Sequence, residues 1–301
     1  MKLFSSCFFG VIFLWSMWCC RPYEHPRLAQ EQAALDKFTQ QTGYDLSSPN
    51  EKYLLPDVLS EISGLSFHKK NVLACVQDEL GTVFLYNLKS KEIIQRMKFA
   101  RNGDFEGLAV VNKWTYIIKS NGDLYRHFMV GDSTQKIETP LSRENDVEGL
   151  AYDSQHERLL IACKESANLK GDKKNKKGKA VYSYSLSGDF DRDPLILLDK
   201  QHLESWNDRQ LKPLELTKKI TGFKPSGIAV HPKSQDIYIV AHEGRVLIVS
   251  SPNGEVLHLV PLAPRTFKQP EGICFAPNGD LYIANEARDG VANILEFKHR
   301  P

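Results

Sequence analysis

At five places a polar side chain stands immediately before a glycine: Ser63-Gly64, Glu106-Gly107, Glu148-Gly149, Ser226-Gly227 and Glu271-Gly272. Each pair opens an alternating apolar run. A second set of polar residues follows the next apolar run of each unit: Asp78, Glu79, Asn121, Glu165, His242, Glu243, Asn285 and Glu286. If the units converge on an axis, three carboxylates and two hydroxyls meet there. Carboxylates held together repel unless protons or a cation compensate. A hard divalent ion with oxygen ligands, Ca²⁺, is the natural compensation. Two other uses of the glutamates stay open: hydrogen bonds to backbone amides of a neighbouring unit, and acid–base catalysis.

Other chemistry is absent from the sequence. It holds no GxSxG, HExxH, P-loop or EF-hand pattern. His231 and His242 read as surface polar residues, and no catalytic residue is assigned. The net charge of +2 offers no electrostatic case for binding nucleic acid. An apolar content of 42% with 25% charged residues excludes full disorder.

The elements that must position these residues form a repeat. The unit reads EISGLSF at 61–67, DFEGLAV at 104–110, DVEGLAY at 146–152, KPSGIAV at 224–230 and QPEGICF at 269–275. Second, third and weaker fourth runs follow each copy, such as DIYIVAHEG at 236–244, RVLIVSS at 245–251 and VLHLVPL at 256–262. The runs are short, β-branched and aromatic, with period-2 character. Junctions such as Asn121-Gly122, Asn253-Gly254 and Asn278-Gly279 supply tight-turn chemistry. Each unit is therefore an antiparallel meander of three or four strands.

The unit glycines lie 43, 42, 78 and 45 residues apart. Four-stranded units of about 40–50 residues arranged radially make a β-propeller. The reading is an all-β propeller of five blades, with six as the alternative that the 78-residue step allows. Under the five-blade reading that step carries two insertions, a lysine-rich loop at 167–179 and an irregular or helical arm at 200–222. The segment KYLLPDV at 52–58 has no blade of its own. It is expected to supply the outer strand of the last blade and close the ring, hiding strand edges.

Taken in order, EISGLSF, DExGxVFxY at 78–86, GDFEGLAVV at 103–111, DVEGLAYD at 146–153, PSGIAVHP at 225–232 and PEGICFAPNGDLYIANE at 270–286 resemble the SdiA-regulated, YjiK-like β-propeller family over roughly residues 45–300. The resemblance implies a propeller outside the bacterial inner membrane and brings no known catalytic residues. The last segment also resembles NHL-type and gluconolactonase-type repeats. Gluconolactonases place a metal on the axis with Glu, Asn and Asp ligands. By that likeness Glu106, Glu148, Glu271 and Asn285 are the candidate metal ligands. The departures are the fivefold count and the first blade, where Ser63-Gly64-Leu65 replaces the EGPxW-like opening.

Residues 1–20 place Lys2 before an apolar run and turn polar at Arg21. This is the layout of a secretory signal, and the apolar run is short for a membrane-spanning helix. Cys19 and Cys20 close the run, and Cys20, or else Cys19, is the candidate lipid acceptor of a lipoprotein-type signal. Simple cleavage and an uncleaved anchor are the other outcomes. Residues 21–50 read as a polar tether with a short helix at 28–38, and 51–301 as the propeller. Cys75, Cys163 and Cys274 sit in apolar runs and read as small buried hydrophobes. The expected protein is a binding or scaffold propeller of the bacterial envelope, in the periplasm or on the outer membrane. Its expected partners are a small molecule or protein at the propeller face and the membrane through the N-terminal anchor. The alternative is a metal-dependent hydrolase acting on a lactone, ester or phosphoester at the central channel.

Overall fold

The computed structural model describes residues 26–172, 176–209, 222–288 and 290–300. The signal-like segment with Cys19 and Cys20 lies outside the described residues, as do 173–175 of the lysine-rich loop and 210–221 of the expected arm.

Strand β1 (Glu51–Leu54) comes first and is taken up by the last sheet. Blade one is β2 (Ile62–Lys69), β3 (Val72–Gln77), β4 (Thr82–Asn87) and β5 (Glu92–Lys98). Blade two is β6 (Phe105–Val111), β7 (Trp114–Lys119), β8 (Leu124–Phe128) and β9 (Thr134–Ile137). Blade three is β10 (Val147–Asp153), β11 (Arg158–Cys163), β12 (Lys179–Ser185) and β13 (Ile196–Leu198). Blade four is β14 (Gly227–Val230), β15 (Ile237–Ala241), β16 (Val246–Ser250) and β17 (Val256–Pro261). Blade five is β18 (Pro270–Phe275), β19 (Leu281–Asn285), β20 (Asn293–Phe297) and then β1. Five four-stranded antiparallel sheets make a five-bladed propeller, so the long step holds insertions and not a sixth blade. Glu51 pairs with Glu296 and Leu54 with Asn293, which is the ring closure read from 52–58.

Each inner strand touches the next one around the ring: β2, β6, β10, β14, β18 and back to β2. The unit glycines permit this. A Cβ on Gly227 would lie 2.0 Å from the Glu271 carbonyl oxygen, and one on Gly107 would lie 2.8 Å from the Leu150 nitrogen. Both contacts are with backbone of the following blade, so no side chain fits.

The core is divided into five apolar layers, one in each gap between blades. A middle strand therefore buries both of its faces. This explains continuous apolar runs such as VLACV and IYIVA, where a half-exposed strand would alternate more cleanly. Cys75, Cys163 and Cys274 are free thiols within these layers, as expected.

The helix read at 28–38 is longer. Helix α1 (Pro26–Thr42) packs along β17 and sends Phe38 into the layer between blades four and five. Tyr44 and Leu46 follow it into that layer. Burial of side chains this large contributes about 1.5–3 kcal/mol each. His231, read as a surface residue, is buried against Tyr44 because this segment covers it. Its Nε2 bonds the Tyr44 hydroxyl at 2.9 Å, and Ser234 N–H donates to its Nδ1 at 3.0 Å. The arm at 200–222 begins as helix α2 (Lys200–Asp208), capped by Asp199, whose carboxylate accepts from the His202 amide at 2.7 Å.

Candidate functional site

The residue before each unit glycine is aimed by the backbone. In blades one, two and three the β2/β3, β6/β7 and β10/β11 registers slip between Ile62 and Gly64, Phe105 and Gly107, and Val147 and Gly149. Ser63, Glu106 and Glu148 are the extra residues of these bulges. A similar slip between Pro270 and Ile273 frees Glu271. A bulge leaves its extra residue outside the ladder and re-aims the side chain.

Ser63, Glu106, Glu148 and Glu271 line one axial cavity together with all five unit glycines. Its volume is about 10 Å³, roughly the room one water needs. Towards the ends of the inner strands the channel widens to about 140 Å³ between Leu65, Leu108, Leu150, Ile228 and Ile273. Asn285 is not part of the axial cavity. It is fully buried at the end of β19, and its amide donates to Asn293 Oδ1 at 3.1 Å.

The two residue types divide the work. Ser63 Oγ donates to the Phe105 carbonyl, and Ser226 Oγ donates to the Pro270 carbonyl, both at 2.6 Å. These serines tie blade one to two and blade four to five. The glutamates do not bridge blades in that way. Glu148 Oε1 accepts from Lys164 Nζ at 2.7 Å within its own blade, and Asp146 lies 3.8 Å from the same ammonium. Glu106 has Asp104 as its hydrogen-bonding neighbour, and Glu271 has Gln269.

Burial and the neighbouring Glu148 push the Glu106 carboxyl far above the carboxylate range. Glu271 moves the same way, through burial first and then the charges of Glu148 and Glu286. Glu148 is raised by burial and partly restored by Lys164. Lys164 is held protonated because the pull of Glu148 and Asp146 outweighs its desolvation. Farther out, burial and Glu61 raise Asp78 to about 6. Burial and mutual repulsion thus favour the protonated forms of Glu106 and Glu271, while the Lys164 ammonium compensates Glu148.

That arrangement bears on the expected Ca²⁺. Among the described residues no group of three or more His, Cys, Asp or Glu side chains is placed to hold a metal ion. Calcium takes six to eight oxygens, whereas a lysine already occupies Glu148 and the cavity holds about one water. The donors as arranged do not fit the ion.

Sequence reasoning missed Lys164. It follows β11 where the other blades place Asp78, Ser120, His242 and Glu286 after the second strand, so it is the one lysine in that ring of positions. The strand register exposes that signal, and residue types alone do not.

The fold is shared with solved structures. Glutaminyl cyclase of Myxococcus xanthus superposes with a TM-score of 0.54 at 13% identity, over 83% of this chain and 95% of that one. A protein of unknown function from Bacteroides thetaiotaomicron gives 0.50 at 13% identity, over 80% of this chain but only 56% of that longer one. At such identities the likeness is one of fold alone. No curated protein matches the sequence. The sequence model of the SdiA-regulated family matches residues 40–289, nearly the whole propeller, and the chain accordingly belongs to the SdiA-regulated family.

Proposed function

We propose that this SdiA-regulated propeller is an exported binding or scaffold protein of the bacterial envelope, anchored by lipid on Cys20 or Cys19, that presents its loop faces to a small molecule or protein. The observation that carries the reading is the narrow axis. The cavity between Glu106, Glu148 and Glu271 holds about 10 Å³, roughly one water, and Glu148 is already engaged by Lys164. Recognition on such a scaffold falls to the loops around the channel, where binding residues of rigid folds concentrate. The N-terminal pattern of Lys2, apolar run and paired cysteines supports export and anchoring.

Fractionation of cells producing the full chain tests the anchor. Wild-type protein is expected with the membranes, and the double variant Cys19→Ser/Cys20→Ser in the soluble periplasmic fraction. Wild-type protein found in the cytoplasm would refute export. Turnover of a lactone, ester or phosphoester that is lost in Glu148→Gln and Glu271→Gln would refute the non-catalytic reading.

A structural Ca²⁺ is a second reading, favoured by the convergence of Glu106, Glu148 and Glu271 on one cavity. It requires Lys164 to give way. Stoichiometric calcium in the purified protein, with a large loss of thermal stability on chelation, would establish it.

A further inference from the structure

On the opposite face from the glutamates, between blades five and one, a groove of about 1210 Å³ opens at the ring closure. The walls are aromatic: Tyr53 from β1, Phe67 from β2 and Tyr282 from β19. The floor is Glu296, 3% exposed. This residue stands opposite Tyr282 in the β19/β20 register. The matching third-strand positions are Leu85 in blade one, Arg126 in blade two, Ser183 in blade three and Val249 in blade four, so Glu296 is the one acid of the set. A valine or leucine packs such a position without the desolvation cost of a buried carboxylate. Glu296 instead anchors a polar floor. Tyr53 Oη donates to its Oε2 at 2.6 Å and Tyr282 Oη to its Oε1 at 3.0 Å. Lys298 also donates to Oε1, and reaches Asp280 at 2.8 Å.

The floor is therefore saturated, and its two acids share one lysine. The rim is different. Lys70, Lys89 and Lys91 all border the groove from the turns of blade one. Among the described residues none of the three has a carboxylate within ion-pair distance. Lys91 Nζ leans over the Tyr53 ring, 5.9 Å from its centroid. Glu51 is the one exposed acid that faces them across the groove.

We propose that this groove is a binding site for a small aromatic anion, with its ring against Tyr53, Phe67 and Tyr282 and its phosphate, sulfonate or carboxylate on Lys70, Lys89 and Lys91. Apolar walls with a few charged groups at one side are the usual make-up of a small-molecule site. The volume suffices for a metabolite-sized ligand. The proposal does not depend on export, anchoring or the axial carboxylates.

The test uses the purified protein and 1-naphthyl phosphate, whose fluorescence reports binding directly. The neutral 1-naphthol and inorganic phosphate are the comparators. The expected result is saturable one-to-one binding of the ester, with both comparators weaker by about tenfold or more. The surface variant Lys89→Gln/Lys91→Gln should weaken the ester about fivefold or more with its melting temperature unchanged. Lys136→Gln, on a distant strand, should bind as wild type. Absence of saturation up to about 1 mM, equal binding of 1-naphthol, or wild-type affinity in the double variant would each overturn the proposal.

Discussion

The Lys164 ammonium sits 2.7 Å from Glu148 Oε1, at the edge of an axis that it shares with Glu106 and Glu271. Lys164 is partly exposed and Glu148 is nearly buried, so the pair couples solvent to the axis. Removing the cation leaves Glu148 with burial and Asp146 against it. Lys164→Met is expected to destabilise the protein by about 2–4 kcal/mol. Adding Glu148→Gln should recover part of that loss. Denaturant unfolding of both single variants and the double variant gives the coupling, and equal additive losses would show that the pair does not interact.

Glu106→Gln is expected to stabilise the protein, and more so as pH rises. The sign follows from proton binding. The folded state holds the Glu106 proton above the pH at which the unfolded chain has lost it, because burial and Glu148 raise its pKa. Folding therefore takes up a proton in that window, and stability falls as pH rises through it. Glutamine keeps the shape and removes the titration. A gain of about 2 kcal/mol at pH 8, fading towards pH 4.5, is the expected profile in pH-dependent denaturation. A loss of stability at pH 8 would mean that the charged carboxylate is needed there, as for a bound cation.

His231 works in the other direction. Burial lowers its pKa to about 4, with His299 and Lys233 adding repulsion. The unfolded chain protonates near pH 6.5, so stability falls as pH drops from about 6.5 towards 4. Tyr44→Phe removes the hydroxyl that bonds His231 Nε2 and the Gly279 carbonyl. The loss should be about 1–3 kcal/mol, read from thermal or urea unfolding at pH 7.5. A neutral outcome would show that the Tyr44 hydroxyl, as distinct from its buried ring, contributes nothing to stability.

Gly227→Ala places a Cβ 2.0 Å from the Glu271 carbonyl, where backbone and not a flexible side chain must move. The expected loss exceeds about 4 kcal/mol, seen as a large fall in melting temperature or in soluble yield. Gly171→Ala, with no atom within 4 Å of the added Cβ but φ at +82°, is the control. It should cost only the price of its backbone conformation, about 1 kcal/mol.

The propeller, its fivefold count and the closing strand at 52–58 were legible because glycine spacing and period-2 runs are local signals. The axial gathering of Glu106, Glu148 and Glu271 was legible too, since each precedes a unit glycine. Asn285 belongs elsewhere: it sits on β19, one strand out from the inner strand that lines the axis, and its amide turns to Asn293. Lys164 escaped because its meaning depends on cross-strand register. His231 escaped because Tyr44, 187 residues earlier in the chain, covers it, and no window of sequence joins the two. The groove at Glu296 escaped for the same reason, as its walls come from both ends of the propeller.

The pairing of Glu51–Leu54 with Asn293–Phe297 has a consequence for biogenesis. A chain emerging from its N-terminus exposes the β1 edge early and meets its partner only when the last strand appears. Until the last strands appear, an arc of the first four blades leaves two apolar blade faces uncovered and β1 without its partner. Such surfaces and such an edge invite association between chains, so slow delivery of the last 50 residues should favour aggregates over monomers, and a chaperone that shields apolar surface and strand edges should reverse the balance.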